Sequence, residues 1–201
     1  MQAIASVLLL GLAGFSLATA VGAQLVARPA APETDAARAI EVARPETKVW
    51  VGPATREQIE EAAPEWTLAE AKAAPDAAAS RALGKVPPGA TVTIYLGTWC
   101  GDSRREIARL WRAIDEMGGD FPAAVELIGV DETKMEPADR LAGAGVRYVP
   151  TIVVRRDGKE VGRIVESSPH GIETDLLDLL AGRAAGVLSL RTDLAPESPV
   201  P

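Results

Sequence analysis

The chain has 201 residues, a formal net charge of −7 and an aromatic content of 4%. This length allows one domain or two small ones, and the scarcity of aromatic residues predicts a mostly aliphatic core. The negative charge argues against nucleic acid as a partner, because phosphate binding needs a basic surface. One cysteine and one histidine cannot form a closed zinc shell, so we expect no metal and no cofactor.

The N-terminal segment is almost wholly apolar, with three consecutive leucines at positions 8–10. Small residues that end at Ala20 and Ala23 form two Ala-x-Ala-like cleavage sites. Residues 1–23 therefore predict a signal peptide and an exported, periplasmic protein. The segment lacks Lys and Arg before its apolar part, so a start further upstream or an uncleaved anchor are the alternatives. Only an uncleaved anchor would attach the protein to a membrane.

Residues 24–48 are rich in Ala, Pro, Arg and Glu and have no apolar periodicity, which is typical of a flexible linker. Residues 49–89 predict a small helical extension, in which Thr55 caps a first helix. Thr67 and the glutamate three residues later form a capping-box pattern for a second helix. Because Trp50 and Trp66 need burial, we expect the extension to pack on a core. A partly ordered alanine-rich spacer is the alternative.

Residues 90–182 predict an α/β domain with a central mixed sheet flanked by helices. The first βαβ unit is expected to be parallel and right-handed. Asp157 and Gly158 indicate a hairpin that runs antiparallel on the same sheet. Residues 183–201 end in a proline-rich stretch and predict a tail. The predicted strands are 91–97, 124–130, 151–156 and 159–166, and the predicted helices are 102–118, 137–143 and 172–182.

Cys100 lies where the first of these strands meets its helix, in the sequence Gly-Thr-Trp-Cys-Gly-Asp-Ser at positions 97–103. The unpaired N–H groups and the dipole of a helix N-terminus favour thiolate over thiol. We therefore expect a nucleophilic side chain. A small, buried apolar residue is the alternative.

This arrangement resembles the active site of the thioredoxin superfamily, Trp-Cys-Gly-Pro-Cys, with Asp102 replacing the proline and Ser103 the second cysteine. It is similar to that of bacterial thioredoxin-like proteins with a Trp-Cys-Gly-Asp-Ser motif. The resemblance covers about half the chain and implies a thioredoxin-like fold. It also implies that Trp99, Gly101 and Asp102 contact substrate. Asp102 is in addition a candidate for proton transfer, although acids also favour the first turn of a helix.

Val149 and Pro150 precede the predicted hairpin and resemble the superfamily's cis-proline loop. In that loop a cis bond turns the backbone of Val149 toward the cysteine, and an extended substrate pairs with it as a short strand. An ordinary proline at the start of a strand is the alternative.

A carboxylate that moves protons lies six residues before the nucleophile in ordinary thioredoxins, and Ile94 occupies that position here. The predicted topology brings Cys100, Pro150 and Glu166 to one rim of the sheet. Glu166 is therefore a candidate replacement, and a solvated glutamate at the end of a strand is the alternative. His170 is a further candidate partner of Cys100, against the alternative of an exposed turn residue.

The missing second cysteine limits the chemistry. Ser103 cannot attack a mixed disulfide, although its hydroxyl can donate a hydrogen bond to the thiolate. Cys100, Ser103 and Glu166 are the candidate catalytic residues. Three functions stay open: monothiol exchange with protein or glutathione thiols, a non-catalytic peptide-binding module, and a redox-sensing or intermolecular disulfide site.

Overall fold

A computed structural model describes residues 47–194 of the chain. The predicted signal peptide, nearly all of the predicted linker and the last seven residues of the predicted tail lie outside the described residues. None of the helices within residues 47–194 is both long enough and apolar enough to cross a membrane.

Strands and helices alternate through most of this part of the chain, which ends in a short 3₁₀ turn at Thr192–Leu194. The elements in chain order are β1 (Gly52–Ala54), α1 (Arg56–Ala62), α2 (Glu65–Lys72), α3 (Ala77–Leu83), β2 (Ala90–Leu96), α4 (Gly101–Met117), β3 (Ala124–Gly129), α5 (Ala138–Leu141), β4 (Thr151–Arg156), β5 (Lys159–Val165), α6 (Ile172–Leu180) and β6 (Gly186–Leu188).

The strands form one mixed sheet in the order β1-β3-β2-β4-β5-β6. Strands β2 and β3 are parallel and are connected through α4, while β4 is antiparallel to both β2 and β5. Asp157 and Gly158 both have positive φ in the turn between β4 and β5, as two-residue hairpin turns require. The predicted α/β architecture, a central mixed sheet flanked by helices, is confirmed.

Two short strands lie where the sequence predicted other structure. In the predicted helical extension, β1 pairs antiparallel with β3. A side chain at Gly129 would overlap the backbone of Trp50, so the glycine permits this close approach.

In the predicted tail, β6 pairs in parallel with β5, which corrects that prediction for residues 186–188. A Cβ on Gly162 would lie 2.7 Å from the carbonyl oxygen of Gly186. The pairing of β5 with β6 thus depends on a glycine in β5.

Alternate residues of the central strands point to two apolar layers. Ile94 and Leu96 belong to the larger layer, which α2, α3, α4 and α6 cover. Tyr95, Ile128 and Val153 belong to a smaller layer on the other face. Both faces of the sheet are buried, which explains why these strands are nearly continuous apolar runs.

The helical extension packs on the larger layer through Trp66, which is fully buried. Its ring lies 5.4 Å from that of Trp111 on α4, at an interplanar angle of 42°. Thr55 caps α1 in a complete capping box with Gln58. Helix α2 begins at Glu65, so Thr67 lies inside the helix and the predicted capping box at Thr67 is wrong.

A buried carboxylate connects α6 to two other helices. Glu173 is fully buried, and Arg109 on α4 donates hydrogen bonds of 2.8 and 2.6 Å to its two oxygens. The N–H of Asp76, which caps α3, donates a third bond of 2.7 Å. Burial alone would raise the pKa of the Glu173 carboxyl, but these hydrogen bonds outweigh burial and hold the pKa below its ordinary value.

We expect the Glu173→Gln variant to lose about 1–3 kcal/mol of unfolding free energy at pH 7, because Arg109 loses its ionic partner. A lowered carboxyl pKa stabilises the fold above the unfolded-state pKa, and this contribution is lost as the pH falls through the folded-state pKa. The deficit of the variant relative to wild type should therefore shrink below about pH 4. Urea denaturation at several pH values measures this deficit.

The exposed pair of Arg112 and Glu116, with 2.6 Å between its charged atoms, provides the control. Glu116→Gln should change the unfolding free energy by less than about 0.5 kcal/mol at any pH. A deficit of the Glu173 variant that is equally large at acid pH would contradict the assigned role of its charge.

Candidate functional site

Cys100 is the N-cap residue of α4. Its N–H donates to the carbonyl oxygen of Gly97 at 3.0 Å, and its own carbonyl accepts from the N–H of Arg104 at 3.0 Å. The side chain is partly buried and its thiol is free. The turn from β2 into α4 therefore places the sulfur at the N-terminal end of a 17-residue helix.

The sulfur lies against the loop that precedes β4. The thiol donates to the carbonyl oxygen of Val149, with 3.4 Å between Sγ and oxygen. The peptide bond between Val149 and Pro150 is cis. The carbonyl of Pro150 accepts from the N–H of Glu166 at 2.7 Å. The backbones of three segments thus meet at this rim of the sheet.

Trp99 forms one wall of the site. Its Nε1 donates to the carbonyl oxygen of Val130 at 3.1 Å, and Nζ of Lys134 lies 5.5 Å from the ring centroid. A Cβ on Gly97 would lie 2.6 Å from the indole, so only glycine allows this ring position. The indole therefore connects the cysteine turn to the loop after β3.

Asp131 organises that loop, a role that the sequence reasoning missed. Its carboxylate accepts from the hydroxyl and N–H of Thr133 and from the N–H groups of Met135 and Glu136. The hydrogen bonds from the Thr133 side chain and the Glu136 N–H lower the pKa of Asp131 to about 2. The Asp-x-Thr pattern, typical of an Asx turn, is the sequence signal that points to this role.

The other residues of the motif have separate contacts. Ser103 is fully buried, and its hydroxyl oxygen accepts from the N–H of Gly97 at 3.2 Å. No hydrogen bond joins Ser103 to Cys100 in the part of the chain that the structure describes. Asp102 lies in the first turn of α4 and pairs with Arg105 at 2.5 Å. Gly101 is exposed, and a Cβ there would have no atom within 4 Å.

The two candidate partners of Cys100 on later elements point elsewhere. Glu166 has a φ of 62°, and its carboxylate accepts from Arg191 at 2.9 Å. His170 lies 2.9 Å from the carboxylate of Asp175, and 71% of its side chain is exposed. Within residues 47–194, neither side chain forms a hydrogen bond with Cys100. The structure brings the backbone of Glu166 to the rim but directs its carboxylate toward the C-terminal segment.

The C-terminal segment supports the proline loop from outside. The Arg191 guanidinium lies 3.7 Å from the ring centroid of Tyr148, the residue before Val149. The Tyr148 hydroxyl donates to Asp193 at 2.8 Å. The sequence predicts a tail over residues 183–201 and therefore does not predict this contact.

The helical extension supports the cysteine turn from the other side through Thr98. The Thr98 hydroxyl donates to the carbonyl of Lys48 at 2.7 Å and accepts from the N–H of Trp50 at 3.1 Å. The carbonyl of Thr98 accepts from Nε1 of Trp66 at 3.3 Å. No group of three or more His, Cys, Asp or Glu side chains in the described ranges is placed to hold a metal ion.

Comparison with known proteins places this geometry in context. No family model matches the chain. Thioredoxins from two strains of Staphylococcus epidermidis are 24% identical to it over 94 residues, which is 47% of this chain and 85% of each thioredoxin. Over about half of its length the chain is therefore similar to thioredoxins.

Among solved structures, a protein of unknown function from Pseudomonas aeruginosa is 16% identical, with a TM-score of 0.46. The alignment covers 63% of this chain and 86% of that protein. A mutant thioredoxin from Halobacterium salinarum NRC-1 is 27% identical, with a TM-score of 0.35, over 47% of this chain and 74% of that one.

The site thus combines a partly exposed thiol, a carbonyl acceptor beside it and an indole wall. Cys100, Trp99, Val149 and Pro150 come together. This arrangement can present a single sulfur nucleophile to an extended or small disulfide. Within the described residues, the site has no second sulfur to complete an internal exchange.

Proposed function

We propose that this protein acts in thiol–disulfide exchange through Cys100 and forms mixed disulfides with protein or glutathione thiols. The observation that carries this proposal is the free, partly exposed sulfur at the start of α4, 3.4 Å from the Val149 carbonyl. The similarity to thioredoxins supports a general redox role.

The proposed reaction has two exchanges. The Cys100 thiolate, formed by loss of its proton to solvent, attacks one sulfur of a substrate disulfide. A new bond forms between Sγ and that sulfur while the substrate S–S bond breaks, and the leaving thiolate takes up a proton from solvent. A second, external thiol then attacks the mixed disulfide and frees Cys100. The two exchanges move disulfide bonds between molecules, with no net oxidation or reduction.

Ser103 and Glu166 have supporting roles in this proposal. The Ser103 hydroxyl accepts from Gly97 and so holds the turn that carries Cys100. The Glu166 backbone bonds to Pro150, and its carboxylate anchors Arg191 beside Tyr148. The exchanged protons then come from and return to solvent, since Ile94 is apolar and buried in the larger layer.

Incubation with excess oxidised glutathione at neutral pH tests the proposal. We expect a one-to-one glutathione adduct in the intact mass, its complete loss in Cys100→Ser, and its reversal by reduced glutathione. Because one sulfur cannot complete an internal exchange, the protein should not reduce insulin catalytically. An unmodified mass would contradict an accessible thiolate and would favour a non-catalytic peptide-binding role.

We also propose that this exchange takes place outside the cytoplasm. The apolar segment 1–23 and its small-residue cleavage sites support export. In cell fractionation we expect a chain that begins near Val21 or Gln24 in the periplasmic fraction. Full-length protein in the cytosol would contradict export, and full-length protein in the membrane would indicate an uncleaved anchor.

A further inference from the structure

A cleft of about 580 Å³ opens between the end of α2 and the first turns of α4. Alanines of α2 and of the segment after it form part of its wall. The remaining lining residues are Lys72, Gly101, Asp102, Arg104, Arg105 and Arg109. Although the chain has a net charge of −7, four cations and one carboxylate line this cleft.

Two of the four cations have close carboxylate partners. Arg109 binds the fully buried Glu173, and Arg105 binds Asp102 and the mostly buried Glu106. Glu106 and Glu173 lie beneath the surface, while the guanidinium groups that cover them are partly exposed. The surface that a ligand can reach therefore carries more positive charge than a count of all nearby charged groups suggests.

The other two cations are available for a ligand. Arg104 has one carboxylate nearby, that of Glu65, at 3.6 Å, and its side chain is 39% exposed. Lys72 is exposed and forms no ion pair with any residue between 47 and 194. An incoming carboxylate can bind these two side chains without breaking a short ion pair.

The cleft reaches the residue next to the reactive sulfur. Gly101 lines the cleft and directly follows Cys100 in the chain. A Cβ built on Gly101 would have no neighbouring atom within 4 Å, so the cleft is open at this point. The volume of the cleft is in the range typical of sites for small molecules. A ligand of this size in the cleft lies beside the N-terminal end of α4.

We propose that this cleft binds carboxylate groups of a small disulfide substrate, of the glutathione disulfide type, and holds its sulfur beside Cys100. The inference rests on the proposed exchange function and assigns its substrate class. Lys72 and Arg104 are the binding residues, whereas Arg105 and Arg109 mainly maintain the structure of the cleft.

The test compares rates of adduct formation, measured by intact mass, for disulfides that differ in charge. Oxidised glutathione carries carboxylates, and hydroxyethyl disulfide is neutral. We expect the double variant Lys72→Gln and Arg104→Gln to react about three- to tenfold more slowly with oxidised glutathione at low salt. Its rate with the neutral disulfide should fall by clearly less than its rate with oxidised glutathione, because the neutral disulfide has no carboxylate to lose a partner. Added salt should slow the reaction of wild type with oxidised glutathione. It should leave the reaction of wild type with the neutral disulfide unchanged.

Arg112→Gln is the matched control, because Arg112 lies on the same helix, is exposed and pairs with Glu116 outside the cleft. It should leave both rates unchanged. If wild type and the double variant react equally fast with oxidised glutathione, the carboxylate site is overturned, but the proposed exchange function is not. Absence of any wild-type adduct, with either disulfide, would overturn the exchange function itself.

A third substrate separates a small ligand from an acidic protein segment. This substrate is a disulfide-linked peptide pair whose cysteines are flanked by glutamate. A charge effect seen with oxidised glutathione supports the proposal. A charge effect confined to the peptide would overturn the assignment to a small disulfide.

Discussion

Ser103→Cys is expected to form an internal disulfide with Cys100 and to gain catalytic reduction of insulin, which wild type should lack. Residues three apart at the start of a helix lie on the same side of it, with Cβ atoms about 5–6 Å apart. A disulfide needs Cβ atoms about 3.5–4.5 Å apart, so a small adjustment of the turn brings the two sulfurs to bonding distance. Ser103 lies in the first turn of α4, where its side chain faces the turn that carries Cys100. Intact mass and a free-thiol assay detect the disulfide, and insulin turbidity measures the activity.

The gained activity should be slow. Ile94 provides no carboxylate for the resolving proton, and the Glu166 carboxylate is bound to Arg191. Adding Glu166→Ala to the Ser103→Cys variant tests the remaining candidate. We expect the rate of insulin reduction to change by less than about twofold, since proton transfer needs hydrogen-bond reach. A marked fall in rate would show that the Glu166 carboxylate contributes to the reaction, either directly or through its ion pair with Arg191.

Ser103→Ala is the matched control for the same position. Like the cysteine variant, it weakens or removes the acceptor for the buried Gly97 N–H, and an unsatisfied buried donor costs about 1–3 kcal/mol. It should gain neither a disulfide nor insulin reduction. A Ser103→Cys protein that stays fully reduced in the presence of oxidised glutathione would contradict the inferred closeness of positions 100 and 103 in this turn.

Trp66→Ala should cost about 3–5 kcal/mol of unfolding free energy, the largest stability effect that we expect of a single substitution here. The ring is fully buried against Trp111, and its Nε1 bonds to the carbonyl of Thr98, two residues before Cys100. We also expect Cys100 to react faster with iodoacetamide under native conditions. Urea denaturation and alkylation rates measure the two effects.

Trp66→Phe separates packing from the hydrogen bond. It keeps an aromatic ring on Trp111 and removes the donor to Thr98, so it should cost clearly less than Trp66→Ala. A loss of less than about 1 kcal/mol in Trp66→Ala would mean that the extension contributes little to the core. An unchanged alkylation rate would show that it does not support the cysteine turn.

Sequence patterns predicted the structure best where contacts between residues close together in the chain determine it. Thr55 caps its helix through a capping box, and Asp157 with Gly158 forms the hairpin turn. Continuous apolar runs predicted strands that are buried on both faces, such as β2. Each of these features depends on residues close together in the chain, so a window of a few residues contains the necessary information.

The missed features depend on contacts between distant segments. Strand β6 is three residues long, and its pairing depends on Gly162, more than twenty positions earlier. The topology argument located the backbone of Glu166 at the rim. A positive φ there and a partner at Arg191 then direct its carboxylate to the C-terminal segment. Patterns along the chain predict neither the ion pair of Glu166 with Arg191 nor the positive φ of Glu166.

The two outermost strands have a consequence for how copies of this protein behave toward each other. Strands β1 and β6 each have three residues, and each pairs with three residues of a longer strand, β3 or β5. Pro53 removes one backbone donor from β1. An exposed sheet edge presents unpaired N–H and C=O groups that can pair with another chain, and very short edge strands reduce this tendency. Because both outermost strands are this short, each offers few hydrogen bonds to a second copy, and we expect the described part of the chain to resist edge-to-edge pairing at high concentration.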